Sequence, residues 1–254
     1  MSYADLTVRD RSAVKRWVQR RRLQDALKPL RTSVVAGKPC SVLDYGAGNG
    51  ELVRQMSAVA RVDAWVFEPA PALMAEAKAN LAALPSVTFL DRTRDTPADS
   101  FDFVFCLEVF EHLPETPTRE AAAEIHRLLK PGGLAVVGVP NELYSPALLK
   151  GMFRMGRRYG EFDARPGNVV RATLGQPPAD RPVVEIAPGL PYHPHHLGFD
   201  HRRLERALCS RFALVERWFS PLPFGGPALN TEVYFLLRKP APEAAATQGN
   251  DGRS

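Results

Sequence analysis

Short apolar runs alternate with longer amphipathic stretches between residues 41 and 139 of the chain. The runs at 62–67 and 101–107 suit strands that are buried in a sheet, and the second is apolar on both faces. The stretches between the runs are long enough for helices that cross over a parallel sheet. The predicted order is strand 41–44, helix 51–60, strand 62–67, helix 71–83, strand 87–90, strand 101–107, helix 119–129 and strand 134–139.

The pattern is less regular in the second half of the chain. Residues 141–198 contain eight prolines and seven glycines, with one helical stretch at 145–159, and are too long for a simple connection. We expect them to form a lid or acceptor-binding insert. The regular pattern then resumes with a helix at 200–210 and strands at 212–219 and 231–238. The expected fold is therefore α/β and Rossmann-like: a seven-stranded, mostly parallel sheet with helices on both faces and an antiparallel last strand.

Positive charge is concentrated at the start of the chain. The whole sequence has 33 Lys and Arg against 28 Asp and Glu, a net charge of +5. Residues 1–31 hold nine of the basic and three of the acidic side chains, so the rest of the chain is almost neutral. We expect a basic helical arm at 1–36, whose helix covers 9–31, a single α/β domain at 37–239 and a disordered tail at 240–254.

Cysteine usage and hydropathy bear on the compartment. The three cysteines show no paired spacing typical of a disulfide framework. No apolar run approaches the length of a membrane-spanning helix, and the first residues lack the apolar stretch of a secretory signal. We expect a cytoplasmic protein and exclude the integral membrane, secreted miniprotein and fibrous classes.

A glycine-rich turn follows the first predicted strand and opens a helix, with glycines at Gly46, Gly48 and Gly50. Glycine at such a turn lets the backbone bend sharply and lets a ligand approach it closely. Asp44 ends the first strand, where a carboxylate can attract an ammonium group, and Glu68 ends the second, where an acid can bind a ribose diol. The Gly-x-Gly-x-Gly spacing differs from that of dinucleotide-binding proteins, so a nucleoside bearing an amino acid fits better than NAD.

Four segments resemble the successive motifs of class I S-adenosylmethionine-dependent methyltransferases: VLDYGAGNGEL, VFEPAPALMAEAKAN, SFDFVFCLEVFEHLPE and LLKPGGLAVVGVPNE. They occur in the usual order and cover most of residues 40–142. The resemblance implies S-adenosyl-L-methionine as the cofactor, bound at the ends of the first four strands. It assigns these contacts to Asp44, Gly46, Gly48 and Gly50 for the methionine part, Glu68 for the ribose, Asp91 for the adenine and Leu107 for the transferring methyl group.

Candidate groups for the acceptor chemistry follow the fourth strand and the insert. Transfer to a hydroxyl requires removal of its proton, and His112, His195 and His196 are the candidate bases. If the chain turns helical after the fourth strand, Glu108, Glu111 and His112 share one helix face. This string resembles the metal-binding Glu-x-x-Glu-His of ubiquinone-pathway O-methyltransferases and small-RNA 2′-O-methyltransferases. A divalent metal such as Mg²⁺ at these three residues is therefore an alternative to a metal-free histidine.

The expected function is methyl transfer from S-adenosylmethionine to an oxygen of a small-molecule, glycan or lipid-linked acceptor, with a histidine as general base. The alternatives are a metal-assisted RNA 2′-O-methyltransferase and a non-catalytic S-adenosylmethionine-binding module.

The arginine-rich arm is open to two interpretations. Trp17 and the three consecutive arginines Arg20, Arg21 and Arg22 suit contact with an anionic membrane, which predicts a peripheral location at the inner membrane surface. Alternatively, the arm is a solvated helix that packs on the domain. Nucleic acid is not an expected partner, because the near-neutral body predicts no long basic groove.

Overall fold

The alternating strands and helices are present in the computed structural model, which describes residues 13–33, 40–84, 86–187 and 189–241. Its helices are α1 (Ala13–Ala26), α2 (Lys28–Ser33), α3 (Glu51–Val59), α4 (Pro71–Leu81), α5 (Glu115–Leu128), α6 (Tyr144–Arg158), α7 (Pro166–Thr173), α8 (His201–Cys209) and α9 (Gly226–Leu229). Its strands are β1 (Cys40–Tyr45), β2 (Val62–Phe67), β3 (Val87–Leu90), β4 (Phe101–Leu107), β5 (Leu129–Pro140), β6 (Val184–Ala187), β7 (Leu190–Tyr192), β8 (Ala213–Ser220) and β9 (Glu232–Arg238). Short 3₁₀ turns lie at Thr93–Asp95, Phe110–His112 and Phe162–Ala164.

Seven strands form one sheet in the order β3-β2-β1-β4-β5-β9-β8. Strands β1 to β5 pair in parallel, whereas β9 is antiparallel to both of its neighbours. The predicted mostly parallel sheet with an antiparallel last strand is confirmed. Because β1, β2, β4 and β5 run in the same direction, the loops after them meet at one edge of the sheet, where ligands bind in open α/β folds.

Both faces of the sheet are buried, as the apolar strands predict. Successive residues of β1 illustrate the arrangement: Val42 packs in the apolar layer with Met56 of α3, and Leu43 packs in the opposite layer with Ile125 of α5. All four side chains are almost completely buried. The parallel strands are therefore fixed on both sides, and their terminal loops are held in a rigid frame.

The basic N-terminal segment packs on the domain. Instead of one helix over 9–31, the described part contains α1 and α2, separated at Leu27. The break precedes Pro29, whose ring has no N–H and clashes with the carbonyl four residues earlier in a continuous helix. Leu27 and Leu30 are completely buried, and the Tyr234 hydroxyl donates to the Arg22 carbonyl at 3.0 Å. Residues 9–12 lie outside the described part, and the division at 1–36, 37–239 and 240–254 stays a prediction.

Two other boundaries differ from the pattern-based prediction by more than two residues. Helix α5 begins at Glu115, about one turn before residue 119, because the Glu115 carboxylate suits the positive end of the helix dipole. Strand β5 begins at Leu129, five residues before the predicted start at 134, and includes Pro131, Gly132 and Gly133. A register shift opposite Phe101 and Phe103 accommodates these extra residues as a bulge.

The insert at 141–198 contributes α6, α7 and a hairpin of β6 and β7. Its last loop reaches the end of β4, where the His193 N–H donates to the His112 carbonyl at 2.8 Å. The insert therefore forms one wall at the ligand-binding edge of the sheet. Among the described helices, none is long and apolar enough to cross a membrane.

Candidate active site

The glycine turn between β1 and α3 has a backbone that only glycine adopts easily. Gly46, Gly48 and Gly50 have φ values of 79°, 56° and 78°, in the left-handed region that penalises a side chain. A Cβ at Gly46 would collide with Cγ2 of Val109, which follows β4. The loop thus needs glycine both for its conformation and for its close approach to the segment after β4.

Two carboxylates lie beside the glycine turn. Glu68 accepts hydrogen bonds from the N–H groups of Gly48 at 2.8 Å and Ala70 at 2.9 Å, yet burial keeps its pKa above the ordinary value. Asp44 is buried, and its Oδ2 has no hydrogen-bond partner among the described residues. Burial and then repulsion by Glu68 raise the pKa of Asp44 to about 8. A cationic ligand at this position would stabilise the ionised form of Asp44.

The other two predicted cofactor contacts occupy the same edge. Asp91 is exposed and lines a shallow depression of about 400 Å³ with Phe67 and Thr93. Leu107 ends β4 opposite Gly138 of β5. A Cβ added to Gly138 would lie 2.8 Å from the side chain of Leu107, so the two residues pack closely. A larger depression, of about 540 Å³, lies at the starts of the strands, on the opposite edge from the glycine turn. The depression of about 400 Å³ beside Asp91 suits the position expected for the adenine.

Glu108 is held by an arginine of the N-terminal helix. Its φ of 56° turns the chain sharply after β4. Arg22 Nη2 lies 2.5 Å from Glu108 Oε1 and 3.2 Å from Glu232 Oε2. Burial favours the neutral acid, but Arg22 lowers the pKa of Glu108 below its ordinary value. Burial raises the pKa of Glu232 to about 8, despite Arg22. Glu108 is therefore the ionised partner of Arg22.

Glu111, His112 and His196 form a second group at the same edge. Glu111 is completely buried, and neither of its carboxyl oxygens has a hydrogen-bond partner within the described ranges. Burial, with repulsion by Glu108, raises its pKa well above the ordinary value. The rings of His112 and His196 meet edge to face at 4.8 Å, and one donor atom from each of the three residues lies within 4.8 Å of the others.

The hydrogen bonds of His112 define its tautomer. Its Nδ1 lies 2.9 Å from the His193 carbonyl, and a carbonyl only accepts, so Nδ1 carries the proton. Burial lowers the pKa of His112 and lowers that of His196 to about 4. His112 is therefore neutral near pH 7, with a lone pair on Nε2, and its ring stacks on Tyr192 at 4.3 Å.

His195 points away from this group into the insert. Its Nδ1 lies 3.5 Å from Asp163 Oδ1, and its ring stacks with Phe162 at 6.1 Å. Arg181 fixes the loop by donating from Nη2 to the carbonyls of Glu111 and His195, both at 2.6 Å. The structure thus brings two of the three candidate bases together and directs the third elsewhere.

Several charged residues around the site are missing from the sequence-based set, among them Arg22, Glu142 and Glu232. Glu142 follows the buried β5, and an acid directly after an apolar strand is a signal that the sequence does contain. Arg22 and Glu232 have no local signal, because they meet Glu108 only through the packing of α1 beside β9.

Comparisons with known proteins identify the family and the fold. The methyltransferase domain family matches residues 14–208. An uncharacterized methyltransferase of Oceanobacillus iheyensis is 29% identical over 113 residues, covering 42% of this chain and 50% of the relative. The chain thus matches about half the length of this curated relative.

Solved structures share the fold. The N-methyltransferase NodS of Bradyrhizobium japonicum, in complex with S-adenosyl-L-homocysteine, aligns over 88% of each chain with a TM-score of 0.54 and 16% identity. A 1,6-didemethyltoxoflavin-N1-methyltransferase of Burkholderia thailandensis, with S-adenosylhomocysteine bound, aligns over 85% of this chain and 78% of its own, with a TM-score of 0.52 and 17% identity. With the family match, the sheet order and the glycine turn, these findings establish that the chain belongs to the class I S-adenosylmethionine-dependent methyltransferases.

Proposed function

We propose that this methyltransferase acts on a hydroxyl of a small-molecule, glycan or lipid-linked acceptor, with His112 or His196 as general base. The observation that supports it most strongly is the neutral tautomer of His112.

In the transfer, an O–CH₃ bond forms while the C–S bond of the sulfonium breaks, and the hydroxyl proton passes to the imidazole. A hydroxyl needs such a base, whereas a neutral amine already presents a lone pair. His195, which faces Asp163, is the less favoured candidate.

The residues at the sheet edge fit the cofactor. S-adenosylmethionine supplies an activated methyl group, an ammonium and a ribose diol. The unpartnered oxygen of buried Asp44 fits a cationic group, and the left-handed turn at Gly46 holds its backbone close to the segment after β4. Glu68, whose carboxylate lies beside Gly48, is the candidate for the ribose hydroxyls, and Asp91 and Leu107 are the candidates for the adenine and the methyl side.

We expect cofactor binding to release a proton from Asp44. Its pKa of about 8 leaves this group about 90% protonated at pH 7, and an approaching cation favours the carboxylate. The apparent affinity should therefore rise as the pH increases towards 8. Calorimetric titration in two buffers of different ionisation enthalpy measures the release. The Asp44→Asn variant corrects for ionisation of the cofactor itself, and an equal proton release by both proteins would contradict the assignment.

Replacing His112 with asparagine tests the base. Asparagine keeps a side-chain N–H for the His193 carbonyl but has no basic nitrogen. We expect kcat for a hydroxyl acceptor to fall by about 10²–10⁴-fold, the usual range for loss of a general base, with cofactor binding largely unchanged. The assay measures transfer of labelled methyl to a phenol, a methyl glycoside and a prenylated phenol, with benzylamine as the nitrogen acceptor.

His126→Asn, on the distant helix α5, is the matched control and should retain full activity. Transfer to benzylamine alone would overturn the proposed hydroxyl acceptor. Full activity of both His112→Asn and His196→Asn would overturn the proposed base.

A divalent metal at Glu111, His112 and His196 is the second candidate for activating the hydroxyl. It is favoured by the two buried, unpartnered oxygens of Glu111 beside the imidazoles. Glu108, the third residue of the predicted set, is paired with Arg22 instead. Two imidazoles and one carboxylate suit Mn²⁺ or Zn²⁺ better than Mg²⁺, which prefers oxygen ligands. In the same assay, loss of activity with a chelator and recovery with Mn²⁺ would favour the metal over the histidine base.

A further inference from the structure

Helix α6 in the insert exposes its large apolar side chains. Leu149, Met152 and Phe153 have exposed fractions of 68%, 58% and 62%, and they lie on one face because they are spaced three and four residues apart. Leu148 extends this face at its edge, and Tyr159, directly after the helix, is 75% exposed. We call Leu148, Leu149, Met152 and Phe153 the apolar face of α6.

The opposite side of the helix carries the cations. Lys150 Nζ lies 3.0 Å from Glu142 Oε1, and Arg154 forms two hydrogen bonds with the same buried carboxylate, at 2.8 and 3.0 Å. Arg158 donates to the buried Asp163 at 2.6 Å. The large apolar side chains of α6 thus point outward and Lys150 and Arg154 inward, the reverse of the usual arrangement of a surface helix, while small residues such as Ala147 and Gly151 fill the rest of the buried side. The buried ion pairs hold the helix in this orientation.

The surroundings of the apolar face are positively charged. The sequence from Tyr144 to Gly160 contains no acidic residue. Arg157 is exposed at the edge of the face, with its guanidinium 5.1 Å from the centre of the Phe153 ring. Helix α7, packed beside α6, exposes Val170 and Arg171, and Leu174 directly after the helix is exposed as well.

We propose that the apolar face of α6 docks on the surface of an anionic lipid bilayer, with the helix lying in the plane of the interface. Large apolar side chains flanked by arginines have the composition of helices that bind in this way, and arginines near the surface are attracted to anionic headgroups. A second copy of the chain is a poorer occupant, because a two-fold contact through this face would bring the same positive charges together.

This surface is distinct from the arginine-rich arm, for which membrane contact is one of the two interpretations that the sequence allows. Arg22, the last of the three consecutive arginines, faces Glu108 and Glu232 inside the protein. The docking proposal goes beyond the proposed reaction and does not depend on it, since vesicle binding is measured without any methyl acceptor.

Flotation with lipid vesicles tests the docking. We expect the full chain to bind vesicles containing about 30% phosphatidylglycerol and to bind those of phosphatidylcholine alone much more weakly. The double variant Leu149→Ser, Phe153→Ser should lose about tenfold or more of this binding. The matched control Val59→Ser, Val215→Ser changes two exposed apolar residues elsewhere and should bind like the native chain. Retained S-adenosylmethionine binding shows that each variant is folded.

Failure of the native chain to bind anionic vesicles would overturn the docking proposal, and so would undiminished binding by the Leu149→Ser, Phe153→Ser variant. Loss of binding in Trp17→Ser with full binding by the α6 variant would assign the contact to the arm instead. A native dimer that the α6 variant converts to a monomer, measured by light scattering without lipid, would identify a second copy as the occupant.

Discussion

Replacing Gly46 with alanine should weaken S-adenosylmethionine binding by roughly tenfold or more. Two effects combine in this variant. The φ of 79° costs a residue with a Cβ about 1–2 kcal/mol, and the new Cβ collides with Cγ2 of Val109. To relieve the collision the turn must move away from the segment after β4, which separates groups on the two sides of the expected cofactor site. Calorimetric titration of the cofactor measures the loss.

A matched control separates the collision from the backbone cost. Gly132 has a nearly identical φ of 78°, but a Cβ there meets nothing within 4 Å. Gly132→Ala should therefore bind the cofactor normally, with a small loss of stability. The double variant Gly46→Ala, Val109→Ala removes the colliding methyl group and should recover much of the affinity. Equal affinity of Gly46→Ala and the native chain would contradict the role of the turn.

The cofactor side of the site could be predicted because its groups follow consecutive strands. Asp44 and Gly46 follow from the end of β1, and Glu68 from the end of β2. Parallel strands bring such ends together whatever the rest of the fold does. The local order of residues therefore contains most of the information needed for this half of the site, although the contacts with the cofactor themselves stay predictions.

The acceptor side could be predicted only in part. His112 follows β4, but its neighbour His196 is 84 residues away, and only the path of the insert decides that His196 rather than His195 approaches it. Arg22 shows the same limit. In a run of arginines every member suits solvent, and the pairing with Glu108 depends on how α1 packs across β9. Such contacts are not encoded in hydrophobic periodicity.

Replacing Glu142, the carboxylate that pairs with the inward cations of α6, should lower the free energy of unfolding strongly. Glu142 is completely buried and is the shared partner of Lys150 and Arg154. Glu142→Gln keeps the size of the side chain but removes the carboxylate that pairs with Lys150 and leaves Arg154 with Asp163 alone, at 3.4 Å. Removal of one partner from a buried ion pair typically costs about 3–5 kcal/mol, so we expect a loss near the lower limit, because Lys150 keeps some solvent contact. Denaturant unfolding measures it, with Glu205→Gln as control.

The control pair is more exposed. Arg217 Nη1 lies 2.8 Å from Glu205 Oε2, and the arginine side chain is 47% exposed. Such a pair contributes less than about 1 kcal/mol. Similar losses in the Glu142 and Glu205 variants would show that burial does not strengthen the Glu142 network.

The stability that Glu142 contributes should also disappear in acid. Burial alone would raise its pKa, but Lys150 and Arg154 together lower the pKa of Glu142 to about 2, below the value of about 4.5 of an unfolded glutamate. A carboxylate with a lowered pKa stabilises the folded state fully above the unfolded value, and this contribution decreases as the pH falls towards the folded value. A pKa difference of about 2.5 between the folded and unfolded states corresponds to about 3 kcal/mol, which agrees with the cost expected for Glu142→Gln.

The difference in unfolding free energy between the native chain and this variant should therefore be constant from pH 7 to about pH 5 and shrink below pH 4. A difference that stayed constant to pH 3 would show that an uncharged interaction of Glu142, rather than its ion pairs, holds α6 with its cations inward.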